Sequence, residues 1–158
     1  MTEFKFLKAH GLGNDFVIFT EHSKLNISKK LVKFLSDRKK GVGCDLTVFL
    51  NKSENNYSDL VARFFNKDGS EAEVCGNALR CIGNYYFKKF KKTNVTVETN
   101  SGLIDVEKNI SEKISVDLGK PNISWDKIPI KIDVDTQNLD FDFEPTFFYN
   151  KHVFDIMC

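Results

Sequence analysis

The chain has 158 residues, 41% hydrophobic and 13% aromatic, which is enough to bury the core of one ordinary domain and short for two complete ones. Lysine and arginine number 23 against 22 aspartates and glutamates, so nothing in the charge points to nucleic acid or an anionic membrane as partner, and a small ligand fits better. Charges at positions 3, 5 and 8 interrupt any signal-peptide core, no later apolar run approaches a membrane span, and cysteines 44, 75, 81 and 158 contain no Cys-x-x-Cys pair; the chain therefore reads as cytoplasmic, without zinc, dithiol or disulfide chemistry.

Phe4, Phe6 and Leu7 lead into Gly11-Leu12-Gly13 and then Phe16-Val17-Ile18-Phe19, a strand, a glycine turn and a strand. Ser28 is placed to cap a helix with Leu31, Val32, Phe34 and Leu35 on one side, and the basic run Arg38-Lys39-Lys40 suits its C-terminal end. Gly41-Val42-Gly43 then feeds a strand from Leu46 to Leu50. A further strand, Leu60 to Phe65, ends at the turn signal Asn66-Lys67-Asp68-Gly69. Leu79, Ile82, Tyr86 and Phe90 keep helical spacing, with Lys88, Lys89, Lys91 and Lys92 at the negative end of the dipole, so a second helix starts between Cys75 and Asn77.

Val95 to Thr99, Leu103 to Val106 and Ile114 to Leu118 read as a meander. Gly119-Lys120-Pro121 marks a boundary, beyond which the strand pattern stops. The expected organisation is residues 1–118 as one domain and 119–158 as a linker with the incomplete start of a second, since the last stretch is too short to bury a core unaided. The fold class is α+β, with antiparallel strands curled around a central helix.

The chemistry gathers at Cys75-Gly76-Asn77. A helix start presents unpaired N–H groups and a partial positive charge, which stabilise a thiolate and bind a carboxylate. Gly76 lets a ligand approach the backbone without a Cβ in the way. The competing reading is that cysteine is a small hydrophobe and Gly-Asn an ordinary loop. Cys44 and Cys81 sit in apolar settings and read as packing residues. Asn14, Asn66 and Asn77 offer donor and acceptor together, as an amino acid's carboxylate and ammonium require, although asparagine also serves turns for its own backbone bonds. Neither His10 nor His22 has the neighbours of a metal ligand.

Four blocks in order, His10-Gly11-Leu12-Gly13-Asn14-Asp15-Phe16, Gly41-Val42-Gly43-Cys44-Asp45, Phe65-Asn66-Lys67-Asp68-Gly69-Ser70-Glu71 and Cys75-Gly76-Asn77-Ala78-Leu79-Arg80-Cys81, resemble diaminopimelate epimerase. The match is strong from residue 4 to about 118 and thins beyond, where Tyr149-Asn150-Lys151-His152 resembles the family's Gly-Asn-Pro-His block. The resemblance implies a two-domain, cofactor-free isomerase that converts LL- to meso-diaminopimelate on the route to lysine and peptidoglycan. In that family one thiolate removes the α-proton while a thiol from the other domain reprotonates the opposite face.

By that resemblance Cys75 is one catalytic thiol. Asn14, Asn66, Gly76, Asn77 and Asn150 are substrate contacts, and His152 tunes the thiols. The full-length family form is expected to be a homodimer, with the C-terminal half supplied in cis or in trans.

The sequence also departs from the family. The second cysteine block and the Glu-Arg substrate clamp have no counterpart. Leu46 stands where the family usually has Gln, a hydrogen bond to a charged group worth roughly 1.5–3 kcal/mol, or a factor of about ten to a hundred in affinity. Ala78 replaces a frequent Gly, and Tyr149 and Lys151 replace a Gly and a Pro. The alternatives to an epimerase are a non-catalytic remnant or amino-acid-binding fragment, and a related cofactor-free isomerase acting on proline or a phenazine precursor. An apolar edge is expected where a second domain would pack.

Overall fold

A computed structural model describes residues 4–20 and 26–139. Contacts divide the chain after Gly119 into a larger first unit and a smaller second one. The first unit holds strands β1 (Leu7–Gly11), β2 (Asn14–Phe19), β3 (Leu46–Lys52), β4 (Leu60–Asn66), β5 (Glu71–Ala72), β6 (Asn94–Thr99), β7 (Gly102–Lys108) and β8 (Ile114–Val116). It also holds helices α1 (Lys29–Ser36) and α2 (Gly76–Phe90). In the second unit the described residues contain one 3-10 turn, Trp125–Lys127.

The strands form one sheet in the order β1-β2-β3-β4-β6-β7-β8, with β5 paired to β4. The α+β class holds, and the sheet is mixed. The β1–β2 hairpin, the β3–β4 and β4–β5 pairs and the β6–β7–β8 meander are antiparallel, whereas β2–β3 and β4–β6 run parallel. Each parallel pair is bridged by a helix, α1 for the first and α2 for the second, because parallel neighbours need a long crossover.

Strand parity explains why the first half of the sheet reads as unbroken apolar runs. Phe16, Ile18, Leu46, Val48, Leu50, Ala62 and Phe64 face α2 and pack with Leu79, Ile82 and Tyr86. Val17, Phe19, Phe49 and Phe65 face the other way and pack with Val32 of α1. A sheet covered on both faces has no polar face to alternate with. The second half is covered on one side only: Val95, Val97, Ile104 and Val106 are buried toward α2, while their neighbours along each strand are polar apart from the exposed Leu103.

Ser28 caps α1 by accepting the Leu31 N–H at 3.2 Å, as its position suggests. Two expectations for this helix are corrected. Phe34 lies on the outer side, 55% exposed, because Val32 and Ser36, four residues apart, define the buried face. The run Arg38-Lys39-Lys40 does not cap the dipole either, since α1 ends at Ser36 and the Asp37 carboxylate accepts the N–H groups of Lys39 and Lys40.

Arg38 instead clamps the first two glycine blocks together. Its guanidinium donates to both Asp15 oxygens at 3.0 and 2.6 Å and to Asp45 Oδ1 at 3.0 Å, and Lys8 Nζ reaches Asp15 Oδ2 and the Gly43 carbonyl, each at 2.6 Å. Arg38 holds the Asp15 carboxyl far below the usual carboxylate range despite its burial, with Lys8 and Asp45 adding to the effect. Gly43 makes this possible: its φ is +80°, and a Cβ there would lie 2.9 Å from the Arg38 Cα.

Candidate active site

At the head of α2 the first and fourth sequence blocks meet, through Gly11 and Asn77. Cys75 is the N-cap residue, extended at φ −142° and ψ 105°, and its side chain makes no capping hydrogen bond. Its carbonyl accepts the Leu79 N–H at 2.9 Å and starts the helix, while the N–H groups of the first turn have no partner within the helix. The thiol is half-buried and packs against the edge of the core. A Cβ on Gly76 would meet only the Leu118 Cδ1, at 3.3 Å, so Leu118 is the side chain that lies over this turn.

The β1–β2 hairpin delivers Asn14 to the same place. Gly11 abuts Asn77, whose carbonyl oxygen would lie 3.4 Å from a Cβ there, and Asn14 is the cross-strand partner of Gly11. The Asn14 Oδ1 is buried with no hydrogen-bond partner among the described residues. An orphaned buried acceptor is costly and calls for a ligand or water. One polar side chain of the four-block pattern is therefore unsatisfied next to the thiol-bearing helix start.

Asn66 ends β4, opposite Leu46 on β3, which in turn pairs with Phe16 on β2. Its Nδ2 donates to Ser70 Oγ at 3.0 Å, and its carbonyl and N–H close the turn with Gly69 and Ser70. Leu46 itself is buried in the core. Asn77 accepts at Oδ1 from Arg80 Nη2.

The other two described cysteines, Cys44 and Cys81, behave as packing residues. Cys44 is buried, with its sulfur 3.6 Å from the hydroxyls of Ser36 and Thr47. Burial pushes the Cys81 thiol up, opposed by Arg80 and reinforced by Cys75.

Asn150 and His152 lie outside the described residues, as do Tyr149 and Lys151. Two contributors, Ser70 and Arg80, were not singled out in the sequence, and Arg38 was read only as part of a basic helix end. Each sits inside or beside a quoted block, but its partner is fixed by the turn or the fold. Among the described residues no group of three or more His, Cys, Asp or Glu side chains could hold a metal ion, and no helix is long and apolar enough to cross a membrane.

A cavity of about 490 Å³ opens at the far end of α2, lined by Asn55, Asp59, Tyr85, Tyr86, Phe90 and Lys92. Its carboxylate is already engaged: Asp59 accepts from Tyr86 Oη at 3.1 Å, Lys92 Nζ at 3.2 Å and the Thr96 N–H at 3.0 Å.

Residues 6–124 match the family model described as diaminopimelate epimerase. A diaminopimelate epimerase of Carboxydothermus hydrogenoformans is 40% identical over 141 residues, covering 85% of this chain and 51% of that protein. One from Rhodospirillum centenum is 38% identical over 133 residues, covering 84% and 46%. The chain thus spans about half the length of the curated relatives it matches. Among solved structures, a probable proline racemase from Agrobacterium radiobacter superposes with a TM-score of 0.57 at 15% identity, over 72% of this chain and 41% of that one. A hydroxyproline epimerase from Agrobacterium vitis superposes with 0.56 at 14% identity, over 70% and 40%. At that identity the likeness is one of fold.

Proposed function

The chain belongs to the diaminopimelate epimerase family, and from that premise we propose that it is the first, Cys75-bearing half of a cofactor-free epimerase that inverts one α-carbon of diaminopimelate. Residues 1–118 form the catalytic half-site in this reading, and 119–158 begin the second domain. The Cys75 thiolate takes the α-proton and becomes a thiol, and the electron pair of the broken C–H bond spreads onto the substrate carboxylate. First-turn N–H groups near Gly76 and the Asn77 side chain meet that carboxylate, and they stabilise the developing charge more than the ground state. A thiol of the second half, in cis or in trans, gives its proton to the opposite face and is left as a thiolate.

Asn14 and Asn66 hold the rest of the substrate, with Asn150 as a further contact and His152 tuning the thiols. The full-length form acts as a homodimer in the cytoplasm, on the route to lysine and peptidoglycan precursors. One observation supports this reading above the others: the unpartnered Asn14 Oδ1 stands beside Gly11, which abuts Asn77 at the head of the Cys75 helix.

The test is incubation with LL- and meso-diaminopimelate in D2O, alone and with the C-terminal half of the Carboxydothermus hydrogenoformans relative, following α-deuteration and isomer ratio by NMR. Deuteration that disappears in Cys75→Ser is expected. No exchange in any mixture would sink the catalytic role. The burial of Leu46 in the core favours a second reading, a non-catalytic amino-acid-binding remnant. That version would give calorimetric affinity unchanged by Cys75→Ala and no turnover under any condition.

A further inference from the structure

We propose that Arg80, together with Asp68 acting through Ser70, are positioning residues that fix which end of two side-chain amides is offered to a ligand; this rests on reading the head of α2 as an amino-acid site. An asparagine amide carries an acceptor at one end and a donor at the other, and a half-turn about its last torsion exchanges them. A site that must tell a carboxylate from an ammonium cannot leave that torsion free.

Asn77 is not free. Its amide meets the Arg80 guanidinium, three residues on and on the same face of α2. A guanidinium has five donors and no acceptor, so only Oδ1 can face it. Nδ2 is thereby left as a donor, in the same turn as the unpaired backbone N–H groups.

Asn66 is fixed in the opposite sense by elimination. The Asp68 carboxylate accepts the Ser70 hydroxyl at 2.6 Å and the Ser70 N–H at 2.9 Å. Those two bonds, the hydroxyl's first, hold the Asp68 carboxyl below its usual range, so it remains an acceptor only. With its one proton committed to Asp68, the Ser70 oxygen can only accept from Asn66, and the atom 3.0 Å away must be Nδ2. Oδ1 of Asn66 is thereby left as an acceptor. The orphaned Oδ1 of Asn14 is a second acceptor. Donors at the helix head and acceptors at Asn14 and Asn66 together match a zwitterion, carboxylate to the former and ammonium to the latter.

The whole chain, labelled with 13C and 15N in asparagine, tests this without turnover. Oδ1 of Asn77 accepts from a cation, so its 13Cγ resonance should move upfield in Arg80→Met and return toward wild type in Arg80→Lys, whose ammonium also only donates. In Ser70→Ala the Asn66 side-chain amide protons should exchange with water several-fold faster. Calorimetric titration with meso-diaminopimelate should show a loss of about tenfold for Arg80→Met, largely restored in Arg80→Lys.

An Asn77 13Cγ unmoved in a folded Arg80→Met protein overturns the inference. Should Met prevent folding, Arg80→Gln decides, because glutamine can meet either end of the amide: a shifted or doubled Asn77 signal supports it and a single wild-type signal overturns it. If the amide signals respond as described but wild type takes up no diaminopimelate, the fixed polarity stands and the amino-acid reading falls.

Discussion

At its first turn α2 leaves the Cys75 side chain without a capping bond and, among the described residues, a nearby asparagine oxygen without a partner, whereas toward its last turn the same helix supplies Tyr86 to a bonded cluster around Asp59. There Asp59 takes three hydrogen bonds, the Tyr86 and Phe90 rings lie 4.7 Å apart, and Lys92 sits over the Tyr86 ring. Burial pushes the Asp59 carboxyl up, yet the Thr96 N–H, Lys92 and Tyr86 together hold it below its usual range. The cavity of about 490 Å³ lies at this end. Unmet hydrogen-bonding capacity, rather than volume, marks the end where a ligand is needed.

Cys75→Ser is the sharpest way to break the comparison. Deuteration should fall by about 10²–10⁴-fold while the thermal midpoint stays put; a drop in the midpoint like that of a core substitution would show that the thiol packs rather than reacts. Leu46→Gln should tighten meso-diaminopimelate by about ten- to a hundredfold in calorimetry, at about 1–3 kcal/mol in urea denaturation for burying an amide.

At the other end, Asp59→Ala should cost about 1–3 kcal/mol of stability by leaving its donors unpaired and should not touch ligand affinity. Because the folded carboxyl titrates below the unfolded one, its contribution is complete above the unfolded value near pH 4 and is lost as pH falls through the folded value. Acid unfolding of Asp59→Asn should therefore have a shallower slope than wild type. Tyr86→Phe, which removes one of the three bonds, should cost about 1 kcal/mol and leave deuteration unchanged.

What could be read from residues alone follows from how local each signal is. Ser28, the glycine turns and the spacing of Leu79, Ile82 and Tyr86 act within a few residues, and the elements they announce are present. The parallel pairings β2–β3 and β4–β6 were not legible, because alternation says which face a residue takes and not which strand lies beside it. Arg38 was misplaced for the same reason: a basic residue after a helix has a ready local explanation, and its true partner Asp15 is 23 positions away.

Phe34 has the right spacing for a buried face, yet Val32 and Ser36 take it. At the candidate site, Asn14, Asn66 and Asn77 were visible as residue types. The contacts that orient Asn66 and Asn77 come from Ser70, Asp68 and Arg80, which a motif records without saying what each one touches.

The β4–β6 pairing carries a consequence for assembly. β6, β7 and β8 follow one another directly and can zip together within microseconds, but their attachment to β4 runs through Leu60↔Val97 and Val61↔Glu98, continued by the bonds between Asp59 and Thr96, and α2 must be laid down in between. Closing so long a loop is entropically costly, which makes this seam a late step of folding and a natural line along which the sheet parts first when the native state breathes.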